Sequence, residues 1–356
     1  MAMIGRTASV QRELRLLDLP AMLITNIADV KYLSGFTGSA AYMIIDLEKA
    51  SFFTDGRYDT QSKEEVSDTA EINIVKEYSS VFLKECARYD KILLQPSCPL
   101  EISSKISSNN VEIYMDEKDV LKRLRMIKDA REISMIKEQY DLAGKAFLKS
   151  LKSFKYGAEE RSWAAALEYR MKTMGAKGES FETIVASGAR GAMPHGTASA
   201  KKINKNEPVI VDFGSRSLYT SDYTRMIYDG NDEEVLNIID IVRNALEKAI
   251  EAVTAGKPCK EIDETARNHI EEKGFGKYFN HSLGHGVGID VHELPVLNSK
   301  SDMIIEDNMV FTVEPGIYLP DKFGVRLEET VLVSGGKAEI ISSILDKYVY
   351  GVEDIG

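Results

Sequence analysis

The sequence predicts two domains, a small α/β domain followed by a larger α+β domain with mostly antiparallel strands, and three observations predict it. The chain has 356 residues, more than one hydrophobic core usually organises. Between residues 21 and 113 its apolar runs are short and separated by polar or turn-rich stretches, as when buried strands alternate with helices. After a basic stretch at 121–128 (LKRLRMIK) the pattern changes to long amphipathic helices and β-rich segments divided by Gly and Pro. The change sets the boundary near residue 124, giving domains 1–124 and 125–356.

In the first domain AMLIT, AAYMIID, ASFFT, KILLQ and VEIYM read as strands, and 62–65 with its flanks and 79–89 as helices. No dinucleotide-binding glycine fingerprint or phosphate loop occurs among them. In the second, Ile133, Ile136, Tyr140, Ala143, Phe147 and Leu151 recur at three- and four-residue steps, the stripe of a helix that Gly157 should stop. A second helix, 159–174, should end at Gly175. A third starts on the capping-box spacing of Asn231 and Glu234, carries Val235, Ile238, Ile239, Val242, Leu246, Ile250 and Val253, and ends at Gly256 and Pro258. A fourth spans 260–273. VIVDFG, YTSDYTRMIY, MVFTVEPGIYL and GVRLEETVLVS read as the strands of an α+β fold.

Charge and cysteine content narrow the function classes. Forty-five basic against 56 acidic residues give a formal charge of −11, which repels a phosphate backbone and argues against nucleic acid as partner. No stretch approaches the ~20 apolar residues of a membrane span, and charges interrupt the N-terminal apolar runs where a secretory leader would carry none. Cys86, Cys98 and Cys259 are odd in number and lack a CxxC pattern, which suits a reducing compartment and predicts a cytoplasmic protein.

Asp212 closes the apolar run VIVDFG, and Asp222 lies in the run that returns. In a symmetric hairpin they would face each other with Cβ atoms ~5 Å apart. Carboxylates that close resist joint ionisation unless a cation or a shared proton lies between them; taken alone, such a turn is as readily structural. Three of the five histidines fall in HSLGHGVGIDVH. Gly284, Gly286 and Gly288 argue against a helix there, so His281 and His285 do not form the two-histidine face of a helical zinc site; the bland reading is turn capping. His269, in a helical stretch, reads as a packing or surface residue. Glu314 follows MVFTV and is cut off by Pro315 and Gly316, while Glu328 and Glu329 interrupt GVRLEETVLV. A carboxylate turned inward there needs a partner, and Arg326 or Arg225 is the ordinary one. Together Asp212, Asp222, His285, Glu314 and Glu328 make an oxygen-rich set suited to Mn²⁺, Co²⁺ or Fe²⁺, with Zn²⁺ also compatible. Four carboxylates balance two divalent cations, and such a pair, ~3.5–4 Å apart, suits hydrolysis.

At this point the sequence resembles the pita-bread metallopeptidases, in particular the Xaa-Pro dipeptidase (prolidase) and aminopeptidase P group. ITNIADVKYLSGFTGS and FFTDGRYDTQSKEE look like that family's creatinase-like N-terminal domain. MIKDAREISMIK, FETIVASGARGAMPHGTAS, VDFG with SDYTR, HSLGHGVGIDVHELP, EPGIY and GVRLEE follow in the order of its catalytic domain. The resemblance implies a curved, mostly antiparallel sheet and two divalent metal ions, Mn²⁺ or Co²⁺ first and Fe²⁺ or Zn²⁺ next. It implies that Asp212 and Glu328 bind both ions, that Asp222 completes one site, and that His285 with Glu314 completes the other. Glu314 would also shuttle a proton, His195 and His292 would bind substrate and steady the developing oxyanion, Arg326 would support the site and help bind substrate, and Tyr318 and His281 would support the site. Small proline-containing peptides, and a homodimer whose N-terminal domain covers a neighbour's cleft, are implied by resemblance only. The Asp212–Asp222 hairpin is one residue shorter than the family pattern. Aminopeptidase P, acting on longer peptides, shares every ligand. Methionine aminopeptidase usually lacks the N-terminal domain, creatinase lacks the ligands, and a non-catalytic peptide-binding module is the reading from another class.

Overall fold

The computed structural model describes residues 3–66, 69–76 and 78–351, and the chain divides into two compact units, Met1–Arg125 and Met126–Gly356.

The first unit is built on a six-stranded sheet in the order Glu71–Val75, Ala50–Asp55, Tyr42–Asp46, Ala21–Ile24, Lys91–Leu94, Glu112–Met115. The three strands from Ala21 to Asp55 pair antiparallel, and the pairings outside them are parallel. Five of the strands are those expected from the apolar runs. Glu71–Val75 was missed because EINIV mixes charge into a partly exposed edge strand. Leu23, Ile44, Phe53, Ile92 and Leu94 form one core with Phe82 and Ile106, from the helices Tyr78–Cys86 and Leu100–Ser107. The helix Met3–Leu17 carries the charged N-terminal stretch.

The second unit has four long helices, Ala130–Leu151, Glu160–Thr173, Glu233–Ala252 and Cys259–Glu272. Three expected helix ends are corrected, the simplest being that the third helix stops at Ala252, with Val253 as its cap, rather than at Gly256. Gly157 does not stop the first helix, which ends at Leu151 and passes through a turn before Gly157 adopts φ +85°. The third helix is capped by Asp232, whose side chain accepts from the Glu234 and Val235 amides, and Asn231 lies outside it. One four-stranded sheet runs Val349–Tyr350, Tyr223–Ile227, Val209–Phe213, Ile184–Ser187; a five-stranded sheet runs Glu293–Leu297, Gly284–Gly286, Val310–Val313, Glu329–Ser334, Lys337–Ile340; and Gly316–Leu319 forms a hairpin with Phe323–Arg326. All these pairings are antiparallel except Tyr223–Ile227 with Val349–Tyr350. Val235, Ile238, Val242 and Leu246 pack in one cluster with Phe311, Val313, Ile317, Val325 and Val331. The helices thus support the very strands that carry the acidic residues. No helix among the described residues is long and apolar enough to cross a membrane.

Candidate metal centre

Strand register brings the two aspartates together by a route other than the symmetric hairpin. Asp212 pairs with Thr224, not with Asp222. Asp222 stands two residues before Thr224, and because side chains alternate across a strand, both carboxylates share one face. The turn between them is irregular: the Ser221 amide donates to the Ser215 carbonyl at 2.9 Å, and the Ser215 amide to Ser221 Oγ at 2.9 Å. It closes so tightly that a Cβ on Gly214 would fall 1.9 Å from the Ser221 carbonyl oxygen, a contact only glycine avoids. The Asp222 amide donates to the Tyr140 hydroxyl at 3.2 Å, and that hydroxyl is 2.7 Å from Thr330 Oγ1. A helix residue read from sequence as core therefore also fixes the height of Asp222.

Glu328 comes from a different sheet, one residue before the Glu329–Ser334 strand, yet ligand atoms of Asp212, Asp222 and Glu328 all lie within 4.8 Å of one another. His285, on Gly284–Gly286, and Glu314, just past Val310–Val313, flank them. His285 Nε2 is 3.2 Å from Glu314 Oε1 and 3.5 Å from Asp222 Oδ2. Nδ1 lies 3.1 Å from the Gly286 carbonyl, which can only accept, so Nδ1 carries a proton and Nε2 is the ring atom left to face a cation. Thr312 Oγ1 accepts from the His285 amide at 3.1 Å and donates to Glu314 Oε1 at 3.0 Å, joining the two residues through one hydroxyl.

The electrostatics are those of buried anions that outnumber their counter-charges. Burial, then Glu328 and Asp212, push Asp222 well above the usual carboxylate range; burial, then Glu314 and Asp212, do the same to Glu328; and burial raises Asp212 despite Arg326 beside it. Burial also pushes Glu314 up, but the hydrogen bond and charge of His285 outweigh it and bring Glu314 to about 2. His285 is raised in turn: burial lowers it, and its contacts with Glu314 prevail. Asp212 Oδ1 and Glu328 Oε1 are buried without a hydrogen-bond partner among the described residues, an arrangement that is unfavourable unless a cation satisfies them. The donor set fits divalent ions, and the carboxylate count fits two of them.

Arg326 organises the rim. Its Nη2 donates to Asp212 Oδ2 at 2.6 Å, Nε to Thr224 Oγ1 at 3.1 Å, and Nη1 to the Tyr318 hydroxyl at 2.9 Å and the Pro194 carbonyl at 3.2 Å. Tyr318 receives that donor and lies 2.9 Å from His281 Nε2, while His281 Nδ1 is 2.8 Å from the Ser282 carbonyl. Burial lowers the His281 pKa, so the ring is neutral, its Nδ1–H donates to Ser282, and Nε2 accepts from Tyr318. His292 packs edge-on to His285, with ring centroids 4.3 Å apart. His195 follows the 3₁₀ turn Gly188–Ala192, and both His195 and His292 are exposed. His269 is buried on its own helix, 3.0 Å from Lys248 Nζ. Of the two arginine pairings weighed for the glutamates, Glu329 takes Arg225, at 3.0 Å, and Arg326 serves Asp212 instead. Thr312 and Thr224 went unnoticed in the sequence, and Tyr140 was read there only as a core position; a lone threonine inside VFTV was the one usable signal.

Residues 134–335 match the profile of metallopeptidase family M24, and residues 6–127 match the creatinase/prolidase N-terminal domain. An Xaa-Pro dipeptidase of Pyrococcus horikoshii is 37% identical over 89% of this chain and 91% of its own length. Among solved structures, the prolidase from Pyrococcus horikoshii OT3 superposes with a TM-score of 0.91 at 34% identity, covering 95% of this chain and 98% of its own. An X-Pro aminopeptidase from Thermotoga maritima does so with a TM-score of 0.87 at 38% identity, covering 96% and 100%.

Proposed function

The chain belongs to metallopeptidase family M24, with a creatinase-type N-terminal domain and the pita-bread catalytic fold, and from that premise we propose that it is an Xaa-Pro dipeptidase, hydrolysing the bond before proline in small peptides. The observation that carries the reading is the convergence of Asp212, Asp222 and Glu328 within 4.8 Å, with two of their buried oxygens lacking partners and His285 and Glu314 alongside.

In this reading Asp212 and Glu328 would help hold both divalent ions, with Asp222 as a further ligand to one and His285 with Glu314 to the other. Mn²⁺ or Co²⁺ suits this donor set best, with Fe²⁺ and Zn²⁺ as the next choices. When bound, the ions supply Lewis acidity toward the scissile carbonyl and lower the pKa of water. The protein's own groups do the rest. Glu314, tied to Thr312 and His285, takes and returns the proton that must reach the leaving proline nitrogen. His292, packed on His285, and His195, both exposed, bind the substrate and donate to the oxygen that gains charge. Arg326 holds Asp212 in place while Tyr318 and His281 hold Arg326.

Chelation followed by Mn²⁺ or Co²⁺ should restore cleavage of Ala-Pro or Met-Pro, and His285→Ala or Asp222→Asn should abolish it. The likeness to an X-Pro aminopeptidase keeps one second reading, and Xaa-Pro offered beside Xaa-Pro-Xaa decides it: faster cleavage of the tripeptide replaces dipeptidase with aminopeptidase P. Inertness toward both with metal bound would make the chain a peptide-binding module. We further propose a cytoplasmic homodimer with the division of labour 1–124 and 125–356. The three free cysteines fit a reducing compartment, and sedimentation tests the dimer.

A further inference from the structure

Glu160 opens the Glu160–Thr173 helix and has no exposed surface, yet it belongs to none of the groups described so far. Its Oε1 accepts from the Ser187 amide and Oγ, both at 2.8 Å. Its Oε2 accepts from Arg190 Nε at 2.9 Å, the Ser199 amide at 3.1 Å and Ser199 Oγ at 2.6 Å. One carboxylate therefore ties together both ends of segment 187–199, which carries exposed His195 and the Pro194 carbonyl that Arg326 contacts. The segment's middle rests on the strand that ends in Arg326: a Cβ on Gly324 would lie 2.0 Å from the Gly191 carbonyl oxygen. Burial pushes Glu160 up, and the hydrogen bonds from Ser199 and Ser187 outweigh it, so the carboxylate stays ionised. An anion bound by this many charge-assisted donors makes a rigid base for a short loop.

We propose that Glu160 is a positioning residue that clamps the base of the 187–199 loop and thereby sets where His195 and the Pro194 carbonyl stand beside the metal centre. The proposal rests on the dipeptidase reading for its link to catalysis, though the clamp itself does not. Glu160→Gln keeps the volume but turns amide hydrogens toward donors that need an acceptor, so the loop should loosen without any metal ligand being touched.

The test uses the full-length Mn²⁺-loaded protein. Glu160→Gln should lower kcat for an Xaa-Pro dipeptide by about 10- to 100-fold, the scale of a misplaced catalytic group, and leave Mn²⁺ affinity unchanged. In a His195→Ala background the same substitution should have a much smaller effect, because both changes act through one side chain. Amide hydrogen exchange should quicken in 187–199 and not in the Glu233–Ala252 helix. Losses that multiply between Glu160→Gln and His195→Ala, or unchanged exchange in 187–199, would overturn the proposal. Should Glu160→Gln fail to fold, Ser199→Ala, which removes one donor and leaves the charge, carries the same measurements. A wild-type protein inert toward Xaa-Pro with Mn²⁺ bound would sink the dipeptidase reading, while exchange would still decide whether the clamp exists.

Discussion

Glu328 and Glu329 are consecutive, of one residue type and almost fully buried, at 1% and 4% exposure, yet they solve the problem of a buried charge in opposite ways. Glu329 finds its partners inside the protein: Arg225 Nη2 at 3.0 Å and the Ser342 hydroxyl. Glu328 faces Asp212 and Asp222 and leaves Oε1 with no hydrogen bond. Burial alone therefore does not identify a functional acid. Whether the counter-charge is built into the chain or must arrive from outside is what separates the two.

Removing each charge should break the comparison in different assays. Glu328→Gln should cut metal-dependent hydrolysis by ~10³-fold or more, since a two-metal centre supplies several kcal/mol of transition-state stabilisation, and should leave the metal-free protein at least as stable in thermal unfolding. Near-normal turnover in that variant would contradict the proposed ligand. Glu329→Gln strands Arg225 in the interior and should cost ~3 kcal/mol or more of stability, read by denaturant titration, while the protein that stays folded keeps its metal. Equal stability of the two variants would erase the distinction.

Acidity sharpens it next. Asp222 and Glu328 have folded-state pKa values well above their unfolded ones, so the metal-free folded chain binds more protons than the unfolded chain. Its stability should fall as pH rises from about 4, where unfolded carboxylates ionise. Glu314, held at about 2, pulls the other way, adding stability above its unfolded value, but it stands against the raised Asp212, Asp222 and Glu328. Saturating Mn²⁺ should abolish the decline, so melting temperatures with chelator and with Mn²⁺ should diverge toward high pH; convergence there would contradict the reading. The smallest effect is expected from Thr312→Val, which removes hydrogen bonds worth ~1 kcal/mol each and should weaken metal binding by up to about tenfold, measurable by calorimetry.

The five proposed ligands were legible because each is an ionisable residue set against an apolar run or a glycine-rich turn, where a charge needs explaining. Their meeting was not legible in detail. The Asp212–Thr224 register depends on the Ser215–Ser221 contacts and on Gly214, which no periodicity encodes. Asn231 and Asp232 are both good caps, and only the path of the chain selects the second. Glu160 looked like any acid in the first turn of a helix, since its five hydrogen bonds come from residues far along the sequence. The edge strand Glu71–Val75 was hidden by its polar composition. What sequence conveys well is chemistry that stands out locally; what it hides are partnerships made by uncharged or ordinary residues.

Arg326 touches Asp212, Thr224, Tyr318 and the Pro194 carbonyl through three different nitrogens. A lysine, with a single terminal nitrogen, cannot reproduce that fan of directions. A replacement at position 326 would have to be met by changes at several neighbours far apart in the sequence, so this position is tied to four segments of the chain at once.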